Sequence, residues 1–153
     1  MISINDEFNC FPQVLNWTVS ADHQEICQIK GQKESECHNF VRTFFGPLSY
    51  SYSPKTEISP SGSGTGGDGK YLVCGTHAFK PKCRWYSSDL KTVTSEFSGI
   101  GYSPFNPSHQ STSVLHHGSV YAATVADFGG TDALIYKQPL RTEQYYDLHL
   151  NSK

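Results

Sequence analysis

Short runs of β-branched and aromatic residues limit the fold of this chain more than any other feature of its sequence. The runs are separated by Gly, Pro, Ser and Asn, a pattern typical of strands joined by tight turns. Helical periodicity is nearly absent, and the best exception is the brief stretch Glu34–Asn39. The predicted strands are Phe40–Phe45, Tyr71–Cys74, Arg84–Ser87, Thr92–Phe97, Thr112–His116, Ser119–Ala126 and Ala133–Lys137. We therefore expect an all-β, antiparallel architecture, either a sandwich or propeller blades.

The size and charge of the chain exclude several classes of protein. With 153 residues, of which 37% are hydrophobic, the chain can form one modest core. Its formal net charge is -2 and its 12 Lys and Arg residues are scattered, so we expect no nucleic-acid partner. No window approaches the roughly 18 to 20 consecutive apolar residues of a membrane-spanning helix. The N-terminus also lacks the basic and apolar regions of a signal peptide.

The segment Gly46–Lys70 differs in composition from the rest of the chain. From Ser53 onward it consists almost entirely of Ser, Gly, Pro and charged residues, so we expect a flexible insertion between two strands. Its last part, GTGGDGK at Gly64–Lys70, fits the first seven positions of a phosphate-binding loop. Tyr71 then stands where that loop needs Ser or Thr, and a strand follows instead of a helix. Nucleotide binding is therefore disfavoured.

The motif YLVCGTHAFKPKC, Tyr71–Cys83, is compatible with three kinds of site. The candidate zinc ligands are Cys74, His77 and Cys83, with His38 or Cys37 as the fourth. Structural zinc sites usually contain tightly spaced ligand pairs, and C-x-x-C occurs nowhere in the sequence. A cysteine nucleophile would need a third group to orient its histidine, and no position marks one out. A disulfide across a hairpin needs only that the flanking strands pair, and we favour this interpretation.

Four of the five cysteines form two closely spaced pairs, Cys27 with Cys37 and Cys74 with Cys83, which leaves Cys10 over. Closing a ring of about ten residues removes roughly 2.7 kcal/mol of unfolded-state freedom. Such cysteine usage indicates an oxidising compartment, whereas the N-terminus shows no signal peptide. The cysteine pairs and the N-terminal sequence are compatible with each other if the chain is an internal piece of a longer secreted or membrane-bound protein.

Two further motifs have simple interpretations. The triplet Asn16-Trp17-Thr18 matches N-x-[ST], so Asn16 is a candidate acceptor for an N-linked glycan in a secreted protein. The pair His116–His117 precedes Gly118 between two predicted strands, where a hairpin turn is the ordinary explanation.

Five collinear stretches carry a family resemblance. They are EICQIKGQKESECHNFVR (Glu25–Arg42), YLVCGTHAFKPKC (Tyr71–Cys83), SPFNPSHQSTSVL (Ser103–Leu115), VYAATVADFGGTDALIYK (Val120–Lys137) and LRTEQYYDLHLN (Leu140–Asn151). Together they resemble the N-terminal part of the sema domain of semaphorins, and they look closest to invertebrate and class-5-like members. Ser103 stands where the family often has a cysteine, and the insertion is far longer than the usual connection.

The resemblance implies part of a seven-bladed β-propeller, displayed outside the cell, with four antiparallel strands in each blade. It also implies disulfides between Cys27 and Cys37 and between Cys74 and Cys83. At about 40 to 45 residues per blade, a chain of 153 residues supplies about one blade and most of a second. We expect blade 1 at about residues 27–97 and the start of blade 2 at about residues 112–145.

For function, the resemblance implies a non-catalytic guidance ligand without a cofactor. Such a ligand binds plexin receptors through the full sema domain, typically as a homodimer. The plexin-binding surface of the family lies mainly on later blades, so no receptor-contact residue is transferred to this chain. Two alternatives stay open: a truncated product that acts as a decoy or has no function, and an intracellular zinc- or nucleotide-binding protein.

Overall fold

The computed structural model describes residues 2–6, 9–48, 69–139 and 148–151. A two-stranded hairpin and a short helix precede two four-stranded antiparallel sheets. The strands are β1 (Ile2–Asp6), β2 (Asn9–Leu15), β3 (Val41–Leu48), β4 (Lys70–Gly75), β5 (Lys82–Tyr86), β6 (Val93–Ser98), β7 (Thr112–His116), β8 (Ser119–Val125), β9 (Ala133–Pro139) and β10 (Leu148–Asn151). The helices are α1 (Ala21–Ile29) and the single 3-10 turn Glu34–Glu36.

Each four-stranded sheet is a simple meander of sequential antiparallel neighbours. The first sheet has the order β3-β4-β5-β6, and the second has the order β10-β9-β8-β7. All seven strands predicted from the sequence are confirmed, because β-branched and aromatic runs between turn residues fit a pleated, half-buried surface. The structure adds β1, β2 and β10, which the sequence pattern did not indicate.

The predicted insertion is shorter at both ends than the composition indicated. Gly46–Leu48 complete β3 and Lys70 begins β4, with Leu48 opposite Lys70 in the ladder. Leu48 belongs to the main core and is only 1% exposed, so burial of this apolar side chain extends the strand past the expected boundary. Residues 49–68, which include most of GTGGDGK, lie outside the described residues. Lys70 leads into a strand, and a phosphate-binding loop leads into a helix.

Helix α1 contradicts the expectation that helical structure is confined to Glu34–Asn39. The helix follows Ser20, whose side chain makes no capping hydrogen bond, and has Asp22 in its first turn, where an acidic residue is favourable. Cys27 is its buried residue, whereas Ile26 and Ile29 are 48% and 76% exposed. The apolar periodicity that reveals most helices is therefore missing, because this helix is fixed through Cys27 and not through an apolar stripe.

The main core lies between the two four-stranded sheets. It contains Leu48, Leu72, Cys74, Cys83 and Trp85 from the first sheet, Val120, Ala122, Leu134 and Tyr136 from the second, and Tyr102 from the connection between them. Burial alternates along β8, so one face of the second sheet covers the first sheet. The hydroxyl of Thr43 also donates to the carbonyl of Tyr102 at 3.0 Å, which ties the connection to β3.

Two smaller clusters fix the segment that precedes β3. Leu15 and Trp17 pack with Val73, Tyr86 and Leu90, which covers the other face of the first sheet. Val19, Cys27, Cys37, Ala78 and Phe79 form the second cluster, with Phe105 packed against it. The loop between β4 and β5 therefore lies against both the helix and the connection between the sheets. None of the helices in the described part of the chain has the length and apolar character needed to cross a bilayer.

Candidate binding surface

The hairpin β4–β5 carries one of the two cysteine pairs directly across its ladder. Cys74 lies opposite Cys83 with a Cα–Cα distance of 4.1 Å, and their sulfurs are 2.05 Å apart in a disulfide. Cys27 and Cys37 form a second disulfide with a Cα–Cα distance of 5.8 Å. Because these sulfurs bond to each other, the zinc and nucleophile hypotheses for this motif are wrong. Among the described residues, no three His, Cys, Asp or Glu side chains group around a common point where a metal could sit.

The loop of this hairpin, Thr76–Pro81, has an uncommon backbone conformation. His77, Ala78 and Phe79 are consecutive left-handed residues, with φ angles of 44°, 55° and 59°. Each non-glycine residue in this region costs about 1–2 kcal/mol, so the surrounding structure must offset several kcal/mol. The side chains of all three residues are buried, which supplies part of that stabilisation.

Asn39 holds the left-handed loop in place from the segment before β3. Its side-chain oxygen accepts a hydrogen bond from the backbone N–H of His77 at 3.0 Å, and its side-chain nitrogen donates to the carbonyl of Trp17 at 3.2 Å. A Cβ atom at Gly75 would lie 2.2 Å from the Asn39 oxygen, so only glycine allows this approach. Asn39 could not be singled out from the sequence, because an isolated polar residue before a strand carries no periodic signal.

Backbone hydrogen bonds reinforce this attachment on both sides of His77. The N–H of Thr76 donates to the carbonyl of Phe40 at 3.1 Å, and the N–H of Ala78 donates to the carbonyl of His38 at 3.0 Å. The hydroxyl of Thr76 accepts from the N–H of Phe40 at 3.1 Å. The segment 38–40 therefore fixes the backbone of the loop through hydrogen bonds. Because of these bonds, the loop is a rigid part of the surface.

His77 is enclosed by aromatic rings and cations. Its ring centroid lies 5.7 Å from that of Trp17 and 5.6 Å from that of His23. Burial, followed by the charges of Lys82 and His23, lowers the pKa of His77 to about 4. The imidazole is therefore neutral at physiological pH and contributes to the packing of the loop.

A charged cluster lies on β5 and β6 beside the loop. The Glu96 carboxylate contacts Lys82 Nζ at 2.5 Å and Arg84 Nε at 2.6 Å. The Arg84 guanidinium also lies 4.6 Å from the centre of the Trp17 ring, within range of a cation–π contact. Hydrogen bonds from Lys82 and Arg84 outweigh partial burial and keep the pKa of Glu96 below its usual range. The Glu96 carboxylate thus forms ion pairs with both Lys82 and Arg84.

Two hairpin loops are closed by aspartates. The Asp89 carboxylate accepts hydrogen bonds from the Ser87 hydroxyl and from the N–H groups of Lys91 and Thr92, which lower its pKa. Asp127 accepts from the backbone N–H groups of Asp132 and Thr131, and these bonds lower its pKa to about 2. Each carboxylate accepts hydrogen bonds from the backbone N–H groups of its own loop, as aspartates in tight turns commonly do.

The structure also gives the positions of the other residues singled out in the sequence. Asn16 and Thr18 are exposed on either side of the buried Trp17. His117 and Gly118 have φ angles of 46° and 69° and connect β7 to β8, which confirms the predicted hairpin turn. Cys10 lies in β2, and its side chain is outside the described residues.

Comparison with known sequences gives a consistent set of relatives. No family model matches the chain. Semaphorin-1A of Schistocerca americana is 40% identical over 147 residues, which is 94% of this chain and 17% of the relative. Semaphorin-5B of Mus musculus is 36% identical over 146 residues, which is 91% of this chain and 12% of the relative. The chain thus spans less than a fifth of the length of these proteins.

A solved structure of Drosophila Plexin A in complex with Semaphorin 1b matches the fold with a TM-score of 0.64. The sequence identity is 31%, and the match covers 88% of this chain and 22% of the solved chain. The meandering antiparallel sheets, packed face to face and braced by disulfides, define an all-β module of the β-propeller class. Within that class the chain is similar to semaphorins over most of its own length, and it corresponds to a part of their sema domain.

The similarity to semaphorins is consistent with the disulfides of this segment. Semaphorins are signalling ligands and not enzymes. Members of the family are extracellular, which agrees with the two disulfides of this segment.

Proposed function

We propose that the two four-stranded sheets are the first two blades of a sema-domain propeller. Blade 1 comprises about residues 27–97 and contains β3 to β6, and blade 2 begins near Thr112 with β7. Each sheet has the four antiparallel strands that a blade needs, and the pair shares one apolar core. A propeller blade buries each face against a neighbour, and the main core has that arrangement.

We further propose that the whole protein is an extracellular guidance ligand that binds plexin receptors. The supporting observation is the similarity to Semaphorin 1b, which has been solved in complex with Drosophila Plexin A. Recognition would rest on shape and surface charge, and a ligand homodimer would bring two receptors together. The chain described here would contribute a rigid pair of blades to that ligand.

A chimeric ligand tests this proposal. The chain replaces the matching segment of Schistocerca americana Semaphorin-1A, and the secreted chimera is measured against a plexin ectodomain by surface plasmon resonance. We expect the Kd to stay within about tenfold of the parent value, or about 1.4 kcal/mol. A chimera that is secreted and monodisperse but shows no saturable binding would refute the proposal. The same chimera with Leu72→Asp, which places a charge in the main core, is the misfolding control.

We also propose that Asn16 carries an N-linked glycan. Asn16 and Thr18 are both exposed in the segment that joins β2 to α1, so the acceptor side chain is accessible. In protein secreted from insect cells, peptide N-glycosidase should lower the mass of the chain, and Asn16→Gln should abolish that shift. The matched control is Asn106→Gln, because Pro107 blocks the sequon that Asn106 and Ser108 would otherwise form. An unchanged mass after glycosidase treatment of the unsubstituted protein would exclude the glycan.

A further inference from the structure

A cleft of about 300 Å³ opens where the Thr76–Pro81 loop meets the end of β6 and the connection to β7. Its walls are apolar and are formed by Pro81, Phe97, Ile100 and Phe105. Lys80, Lys82, Glu96 and Ser98 form its polar rim. This volume lies at the lower end of the roughly 300–1,000 Å³ of ligand pockets. The cleft is therefore suited to one or two side chains of a protein partner.

The cleft is held open by backbone contacts. The N–H of Gly99 donates to the carbonyl of Pro81 at 2.8 Å, and a Cβ atom at Gly99 would lie 2.7 Å from the backbone nitrogen of Lys82. The N–H of Lys80 donates to the carbonyl of Thr76 at 3.0 Å, so the left-handed loop also fixes the rim. A preformed cleft of this kind costs little ordering entropy when it binds a partner.

The apolar wall is accessible to a partner. Ile100 is 47% exposed, although it lies beside the partly buried rings of Phe97 and Phe105. Packing a further apolar side chain between these groups would remove the exposed part of Ile100 from water, which is favourable. The wall thus provides the apolar part of a binding site.

The rim carries an excess of positive charge. Lys80 and Lys82 are its cations, and its one carboxylate, Glu96, pairs with Lys82 and with Arg84, which lies outside the rim. Lys80, Lys82 and Glu96 together give the rim a net charge of about one positive unit, whereas the whole chain has a formal charge of -2. Lys80 is exposed at the edge of the apolar wall. A ligand that is complementary in charge carries an anionic group next to its apolar group.

We propose that this cleft binds an acidic peptide segment of a partner protein. An apolar side chain of that segment packs between Ile100 and Phe105, and a flanking carboxylate pairs with the ammonium group of Lys80. The site lies on the rigid loop and not on the second sheet, and it does not require that the partner be a plexin.

The test uses the oxidised 153-residue chain, labelled with nitrogen-15, and a seven-residue peptide with phenylalanine between aspartates and glutamates. We expect saturable amide shifts confined to Lys80, Ser98, Ile100 and their neighbours, with a Kd of about 1 mM or below. The same peptide with alanine in place of phenylalanine should bind at least about tenfold more weakly. Shifts that do not saturate, or that scatter over the surface, would overturn the proposal.

Two substitutions with matched controls separate the charge from the apolar contact. Lys80→Glu should weaken peptide binding at least about tenfold, whereas Lys91→Glu, the same change at the other end of the β5–β6 hairpin, should have little effect. Ile100→Ala should also weaken binding, and Ile29→Ala on helix α1 should not. Unchanged amide spectra outside the cleft establish that each variant is folded. Equal effects of the Lys80 and Lys91 substitutions would contradict the proposal.

A sulfated glycan is the competing ligand for a positively charged rim. Titration with a heparin hexasaccharide distinguishes it from the peptide, because glycan binding should depend on Lys80 but not on Ile100. If the hexasaccharide saturates the cleft and the peptide produces no shifts, the site binds glycans and the peptide proposal is wrong.

Discussion

The contribution of Asn39 to stability gives the sharpest test of how the left-handed loop is held. Asn39→Ala removes the acceptor for the backbone N–H of the buried His77 and the donor to the carbonyl of Trp17. A buried donor without a partner costs about 1–3 kcal/mol, and the second hydrogen bond contributes roughly 0.5–1.5 kcal/mol. We therefore expect the free energy of unfolding to fall by about 1.5–4.5 kcal/mol.

Urea unfolding of the oxidised chain, followed by the fluorescence of Trp17 and Trp85, measures this loss. With a slope of about 1–3 kcal/mol per molar urea, the urea midpoint should fall by at least about 0.5 M. Asn39→Asp keeps an acceptor for His77 but loses the donor to Trp17, so its loss should be intermediate.

Asn106→Ala is the matched control for this experiment. This substitution likewise removes two hydrogen bonds, which the Asn106 side-chain oxygen accepts from the N–H and the hydroxyl of Ser108. Both of these bonds lie in an exposed loop. Because water replaces these partners, we expect a loss of no more than about 1 kcal/mol. If Asn39→Ala costs no more than Asn106→Ala, Asn39 does not hold the loop and our reasoning is refuted.

Two further predictions concern titration and the first disulfide. Because burial lowers the pKa of His77 from 6.5 to about 4, the unfolded chain binds more protons between these values, and stability should fall as the pH drops from 6.5 to 4. Urea unfolding across this range tests the effect, which His77→Gln should reduce; an unchanged slope would contradict it. Replacing Cys27 and Cys37 together by alanine should cost about 2.7 kcal/mol in urea unfolding and lower the helical circular dichroism signal, because α1 loses its anchor. If the free energy of unfolding and the helical circular dichroism signal are both unchanged, α1 is stable without the disulfide.

Strand positions could be predicted from the sequence because their causes are local. β-branched and aromatic runs between turn residues specify extended backbone, and the seven predicted strands all appear within a few residues of their expected bounds. The turn at His117–Gly118 is equally local, since glycine favours a positive φ angle. The spacing of Cys74 and Cys83 favoured a cross-strand disulfide for the same reason: two short paired strands place these positions opposite each other.

Helix α1 and the end of β3 were missed because their causes are not local. The helix has no apolar stripe and is fixed by a disulfide to Cys37. Leu48 joins β3 because its side chain enters a core that is completed by the second sheet. A composition rich in Ser, Gly and Pro cannot reveal that one leucine at its edge has a place in the core.

The sequence by itself determined the all-β class, the positions of the strands along the chain, the close spacing of four cysteines and the family resemblance, because each depends on residue type and on short spacings along the chain. Only the tertiary structure determined which distant residues come together to form the loop contacts and the cleft. Asn39 reaches the N–H of His77 from a segment 38 residues away, and the cleft combines Lys80, Phe97 and Phe105 from three separate segments. Such contacts depend on which segments meet after the sheets have packed, and no local pattern in the chain encodes that meeting.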